Sequence, residues 1–226
     1  MPDIVIIARG SSDPRHAADV ELLADRVRDR VRSGRGVGAC FLDHHSPSPD
    51  DLAAELRHRA VVVPIMVTPS DELHTELSEV ARRLGAGGAD IKVAPPLGPD
   101  PRLLHACEEL LSAADVRPSR DTGVVALLDQ RFGASDRTAI QRVFNTGQDG
   151  YRAWAVASVS DTNDLEAVIG QLRARCERVV AVPLSLMDVR RRRELAMRCR
   201  DAQVGMVPGS LATTQALADL VVARSA

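Results

Sequence analysis

The sequence predicts an α/β protein of two tandem half-domains, each a mainly parallel four-stranded sheet flanked by helices, with a cleft between them. Three observations predict it. Short runs of branched apolar residues alternate with helical patterns, the alternation runs through four rounds and then begins again in the same order, and a polar, turn-rich stretch at residues 115–123 separates the two passes. Alternating strands and helices make a parallel sheet with helices on both faces. A repeated order within one chain marks a duplicated domain, here residues 1–115 and 122–226.

The first strand organises the first half. Ile4, Val5, Ile6 and Ile7 are too short a run for a buried helix and are bounded by turn formers, so they read as a central strand covered on both faces. Gly10-Ser11-Ser12-Asp13 supplies turn geometry and N-cap oxygens, and Pro14 suits the first turn of a helix reaching about residue 32. Ligands bind at the carboxyl ends of strands in open parallel sheets. That places Arg9, Ser11 and Ser12 where chemistry is expected.

Residues 37–42 read as the second strand, and Ser48-Pro49 opens a short helix to about residue 58. Residues 60–67 form the third strand. A helix over 71–84 follows from the spacing of Leu73, Leu77, Val80 and Leu84. Residues 91–94 form the fourth strand, ended by Pro95-Pro96, and a helix from 101 to about 114 closes the half.

The order then restarts with a strand at 124–128. Phe132-Gly133-Ala134-Ser135-Asp136 answers Arg9-Gly10-Ser11-Ser12-Asp13, with a helix behind it. Residues 151–158 give a strand and residues 164 to about 175 a helix. Val180-Ala181-Val182-Pro183-Leu184 echoes Val61-Val62-Val63-Pro64-Ile65, and Gly205-Met206-Val207-Pro208 echoes Val93-Ala94-Pro95-Pro96.

Composition narrows the function classes. With 226 residues and 45% hydrophobic content the chain can bury a substantial core, an aliphatic one given only one Trp, one Tyr and three Phe. A net charge of -2 gives no reason to expect nucleic acid or a membrane surface as partner. No apolar run of transmembrane length occurs, and Met1-Pro2-Asp3 leads into a strand without a basic leader, so a cytoplasmic protein is expected. Cys40, Cys107, Cys176 and Cys199 are far apart without C-x-x-C spacing and read as reduced structural thiols.

The motifs together resemble the class II tetrapyrrole chelatases of the long sirohydrochlorin cobaltochelatase and ferrochelatase type, the CbiX and SirB family. The resemblance covers essentially the whole chain. It rests on Gly10-Ser11-Ser12-Asp13-Pro14-Arg15, where the family has H-G-S-x-D-P-R, on Phe41-Leu42-Asp43 with Pro47-Ser48, on Val61-Val62-Val63-Pro64, and on Ala94-Pro95-Pro96-Leu97-Gly98 with Pro101. It implies two chelatase-like halves and a lyase that inserts cobalt or iron into a sirohydrochlorin-like tetrapyrrole. The alternative is a diverged homologue with a lost or altered metal site, acting on or binding another anionic small molecule.

In such chelatases a His after strand one, a carboxylate after strand two and a His after strand three hold the ion. Here the first position is Arg9, which cannot coordinate a metal. The second is Asp43. The third, counted from Pro64, is Glu72, with His74 two residues on. All six histidines lie in the first half, and His44, His45 and His74 flank these carboxylates.

Asp43, His44, His45, Glu72 and His74 could hold a divalent ion (cobalt, iron or nickel) with mixed N and O ligands. Adjacent side chains on extended backbone diverge, so one of His44 and His45 would join Asp43. The other reading is that these are loop histidines. His16 and His58 read as helix-surface residues. Asp43, Glu72 and His74 are the candidate bases for pyrrole deprotonation. Arg9 either pairs with Asp43, the nearest acid by topology, or is free for a ligand carboxylate.

In the second half the positions opposite Arg9, Asp43 and Glu72 read as Phe132, Ser158 and Arg191, which offer no metal site. Arg190 to Arg193 form either a solvated helix face or a carboxylate-binding site in which Arg190 and Arg191 take the substrate's anionic groups. The absence of a G-x-x-x-x-G-K-[ST] loop gives no reason to expect a nucleotide.

Overall fold

The computed structural model describes residues 2–31, 34–56, 58–68, 71–129, 133–146 and 150–226, with the side chains of residues 2, 71–74 and 162 outside that description. In chain order the first elements are β1 (Pro2–Ala8), α1 (Pro14–Arg28), β2 (Gly36–Phe41), α2 (Pro49–Ala53), β3 (Ala60–Pro64), α3 (Asp71–Leu84), β4 (Ile91–Val93) and α4 (Pro101–Ala113). There follow β5 (Thr122–Leu128), α5 (Ala134–Thr146), β6 (Ala153–Ser158), α6 (Thr162–Arg173), β7 (Arg178–Pro183), α7 (Val189–Asp201), β8 (Gly205–Met206) and α8 (Gln215–Arg224).

The strands form two four-stranded sheets of matching order, β2-β1-β3-β4 and β6-β5-β7-β8, with every pairing parallel. The central strands explain this arrangement. Ile4, Val5, Ile6 and Ile7 are all at most 2% exposed, and Val124 to Leu128 are fully buried. Burying each such side chain is worth about 1.5–3 kcal/mol, so these two strands belong where both faces are covered. On one face of the first sheet Val5, Ile7, Cys40 and Val62 pack with Leu52, Leu56, Leu77, Val80 and Leu84. In the second sheet Val125, Leu127, Ala157 and Ala181 pack with Leu165, Ile169, Leu172 and Leu195.

Local signals set the helix starts. Asp13, Asp100 and Asp161 each accept a backbone N–H two residues on, and Ser48 with Asp51 forms a capping box. Pro14, Pro49 and Pro101 occupy first-turn positions, where their missing N–H costs nothing. α1 stops at Arg28, short of the expected residue 32, which lies outside the described residues. α2 ends at Ala53 and not near 58. His16 is buried, unlike a helix-surface residue, because it lies four positions before Val20 on the inward face of α1.

By internal contacts the chain divides into two compact units, Met1–Leu97 with Leu217–Ala226, and Gly98–Ala216. This division differs from 1–115 and 122–226: α4 belongs to the second unit and most of α8 to the first. In the first unit Arg30 pairs with Asp219 at 2.7 Å, and Arg224 donates to the carbonyls of Pro96 and Leu97, both at 2.9 Å. The Arg224 bonds tie α8 to the segment after β4, and the Arg30 pair ties it to the end of α1. Leu217, Leu220 and Val221 add apolar contact by being buried.

All four cysteines are free and buried. Burial pushes the Cys40 thiol up to about 12 and that of Cys199 up to about 11, which keeps both protonated and unreactive. Among the described residues no helix is long and apolar enough to cross a membrane.

Within the second unit the carboxylate of Glu109 accepts from the backbone N–H groups of Gln215 at 2.6 Å and Ala216 at 2.9 Å. It satisfies two donors at the start of α8 that have no partner inside the helix. Replacing Glu109 with Ala should therefore cost about 1–2 kcal/mol in urea-induced unfolding, the size of a charged helix cap. A Gln replacement should lose less.

Candidate functional site

The first unit's site starts where β1 ends. Gly10 has a φ of +94°, and a Cβ there would lie 1.9 Å from the carbonyl oxygen of Asp43, so only glycine allows the two turns to approach so closely. The backbone closes the contact. Leu42 N–H donates to the Ala8 carbonyl at 3.0 Å and Asp43 N–H to that of Arg9 at 2.8 Å, carrying the β1–β2 ladder past the end of β2.

After Asp43 the chain turns sharply. His44 takes a left-handed φ of 67°, His45 N–H donates to the Asp43 carbonyl at 2.9 Å, and Phe41 N–H donates to the Pro47 carbonyl at 3.0 Å. Such a backbone is costly for a residue with a Cβ and is held here by the surrounding bonds. Asp43 and His44 are exposed. The His45 ring sits edge-on to Phe41 at 5.2 Å with its Nε2 shielded from solvent. The two histidines thus diverge, with His44 on the solvent side beside Asp43.

Arg9 does not pair with Asp43. Its Nη2 donates to Glu76 Oε2 at 2.7 Å, joining the end of β1 to α3, with the two side chains 58% and 33% exposed. Arg9 meets Asp43 through the backbone, the Asp43 N–H donating to its carbonyl. Sequence reading missed Glu76, although it stands one turn beyond Glu72 on α3, and the i,i+4 relation could have singled it out. Glu72 and His74 lie on the first turn of α3, with side chains outside those described. Among the described residues no three His, Cys, Asp or Glu side chains group to hold a metal ion. Ser11 Oγ accepts from Asp13 N–H at 3.2 Å within the turn, and Ser12 is exposed.

The second unit repeats the strand register with the charges at the strand end inverted. Leu127 pairs with Pro183 as Ile7 pairs with Pro64, and Leu128 with Ser158 as Ala8 with Phe41. Register therefore sets Asp129 opposite Arg9 and Ser160 opposite Asp43, correcting Phe132 and Ser158. The three-residue offset at Phe132 has a physical cause. α5 begins at Ala134, so Ser135 and Asp136 lie inside its first turn and do not precede it as Ser12 and Asp13 precede α1. Phe132 itself lies outside the described residues.

Arg191 donates from Nε to Asp129 Oδ1 at 2.8 Å and from Nη1 to Glu194 at 3.3 Å, while its backbone N–H caps onto Asp188. Arg191 and Asp129 are 30% and 28% exposed. Burial raises the Asp129 carboxyl above its usual range, with Arg191 pulling the other way. Of the two arginines read as substrate-binding, Arg191 is thus held by carboxylates of its own unit, while Arg190 is exposed.

Removing Arg191 leaves a half-buried carboxylate without its partner. Arg191→Met should destabilise the protein by about 1–2 kcal/mol at pH 7, a charged hydrogen bond discounted for partial exposure. The loss should shrink on acidification, because a protonated Asp129 needs no cation. Urea unfolding of wild type, Arg191→Met and Arg190→Ala at pH 7 and pH 4 checks this, with Arg190→Ala expected within about 0.5 kcal/mol of wild type.

Comparison with known proteins follows the same outline. Among curated protein sequences nothing matches. Among solved structures, a multi-domain protein from Deinococcus radiodurans described as similar to chelatases, with two additional novel domains, aligns with a TM-score of 0.73 at 18% identity. The alignment covers 99% of this chain but 54% of that one, so this chain spans about half its length. SirB from Bacillus subtilis, solved with Fe3+, aligns with a TM-score of 0.73 at 14% identity over 98% of this chain and 92% of SirB. SirB of subspecies spizizenii, a sirohydrochlorin chelatase in complex with cobalt, aligns at 0.68 and 14% over the same shares. CbiX, described as the terminal enzyme for siroheme biosynthesis in denitrifying bacteria, aligns at 0.71 and 19% over 98% of this chain and 96% of its own. These likenesses establish a chelatase fold over the length of the chain. The CbiX family model matches residues 3–114, and this stretch, which holds Arg9, Gly10, Asp43 and α3, belongs to the CbiX family.

Proposed function

We propose that this protein inserts a divalent metal, cobalt or iron, into a sirohydrochlorin-like tetrapyrrole, with ion and macrocycle both as substrates. The observation that carries this reading is the CbiX match over residues 3–114, which contains every candidate metal-handling side chain. The fold neighbours named as sirohydrochlorin chelatase and as the enzyme of siroheme synthesis support it. A cytoplasmic setting goes with the reading, since the four cysteines are unpaired.

In this reading the ion approaches the carboxyl ends of the first unit's strands. Asp43 and His44, both exposed, offer a carboxylate and an imidazole, and Glu72 and His74 of α3 complete the donor set. His45, turned towards Phe41, is the less suited of the adjacent pair. As the metal enters the ring, two pyrrole N–H bonds break, their electron pairs become metal–nitrogen bonds, and the protons pass to bases. Asp43, Glu72 and neutral His74 are the candidates. Arg9 and the hydroxyls of Ser11 and Ser12 would engage the ring's carboxylates. In the second unit Arg190 is open to an anion, and Arg191 only by giving up Asp129.

Incubation of the purified protein with sirohydrochlorin and cobalt or ferrous ion should shift the absorption spectrum to that of the metallated ring. Asp43→Ala and His74→Ala should each slow the shift by about a hundredfold, the lower end of what a positioned acid–base group contributes. No acceleration over the protein-free reaction with either metal would refute the proposal.

The second reading is a diverged homologue that binds an anionic small molecule without inserting metal. It is favoured by one observation: the position of the family's first His is taken by an arginine already paired with Glu76. Arg9→His bears on it directly. The substitution should raise cobalt or nickel affinity while weakening an anionic ligand by about 1.5–3 kcal/mol, the range for a charge-assisted hydrogen bond. Calorimetric titration of both variants with metal and with uroporphyrin measures the two changes, and two unchanged affinities would place Arg9 outside the working site.

A further inference from the structure

We infer that Glu76 is a positioning residue for substrate recognition: it holds one corner of the Arg9 guanidinium so that the rest of the fork faces an incoming tetrapyrrole carboxylate. The inference rests on the reading above in which Arg9 binds substrate. Three features of the structure carry it.

The first is how Arg9 is held. Its backbone carbonyl is fixed by Asp43 N–H at 2.8 Å, and its side chain meets Glu76 through Nη2 alone, at 2.7 Å. Most donors of the fork are left without a partner among the described residues. The side chain is 58% exposed, so those donors are open to an anion from solution. A guanidinium matches a carboxylate through two parallel N–H bonds, which needs an open edge.

The second is the contrast with the equivalent place in the second unit. There Arg191 meets Asp129 and Glu194 through two different nitrogens and is 30% exposed. That guanidinium is occupied and shielded, and its place is structural. The Arg9–Glu76 pair has the same position at a strand end but has one bond and an open face.

The third is entropy. A free arginine side chain carries rotamer freedom that binding would have to remove. An exposed ion pair contributes little to folding stability. Tethering Arg9 to α3 in advance lowers the cost of ordering it on a ligand.

A double-mutant cycle with a defined probe tests the role. Metal-free uroporphyrin, a polycarboxylate macrocycle, is titrated by fluorescence against the full chain as wild type, Glu76→Ala, Glu76→Gln, Arg9→Gln and Arg9→Gln/Glu76→Ala, with thermal unfolding checked for each. Arg9→Gln should weaken binding about tenfold. Glu76→Ala should weaken it about fivefold when Arg9 is present and have no effect in the Arg9→Gln background. Glu76→Gln, which keeps an acceptor oxygen at the same place, should retain most of the affinity. A structural role would not give an effect that disappears with Arg9.

Tighter binding by Glu76→Ala would overturn the inference, since Glu76 would then be a competitor for the guanidinium. Equal losses in both backgrounds, no change in any variant, or no binding by wild type would overturn it as well. Metal insertion is scored separately with sirohydrochlorin. A cycle with the expected coupling in a protein that inserts no metal would sink the chelatase reading and leave the Arg9–Glu76 assignment standing.

Discussion

The contact between Gly10 and Asp43 constrains everything else at the first unit's ligand end. β1 is buried on both faces, so the chain must leave the sheet at its carboxyl edge through a turn that clears the neighbouring strand. A φ of +94° and the absence of a Cβ let that turn lie against the Asp43 carbonyl. From this follow the added ladder bond between Arg9 and Asp43, the sharp turn at His44, and the inward rotation of His45 onto Phe41. A side chain at position 10 would push the Asp43 loop outward and separate the groups that the sheet end brings together.

Two sheets of the same topology put opposite charges at the same place. At the end of β1 a cation meets an acid from α3, and at the end of β5 an acid meets a cation from α7. Coulomb attraction is indifferent to which side carries which sign, so the fold tolerates both arrangements. Solvent separates them. Asp129 is sheltered enough for burial to raise its carboxyl, with Arg191 pulling it back down. Arg9 stands in water, 58% exposed, where an ion pair is worth little and is easily shared.

Much of the architecture was legible because burial is written in the sequence. Ile4 to Ile7 and Val124 to Leu128 mark central strands, and the spacing of Leu73, Leu77, Val80 and Leu84 gives α3 its observed bounds. Ends decided by local bonding were harder: nothing in the composition of 54–58 stops α2 at Ala53. Pairings across long separations were not legible. Arg9 and Glu76 are 67 positions apart, and topology favoured Asp43 only because β2 lies beside β1. α8 is apolar on most sides, which announces burial without saying where, and the arginines that attach it to the first unit look like any surface charges. Asp129 was hidden by matching Gly133 to Gly10, when the ladder fixes equivalence from the strand outward.

On the proposed reaction, the exchange of His for Arg at position 9 moves the balance between holding the ion and holding the ring. A chelatase gives its metal away, so a donor set that binds too tightly opposes transfer, and imidazole is among the stronger neutral ligands for cobalt or iron. Replacing it with a guanidinium removes one ligand and repels the ion. The same guanidinium attracts the macrocycle's carboxylates. On the proposed reading, the arginine at position 9 would shift recognition from metal towards anion, beside an Asp43 that stays exposed.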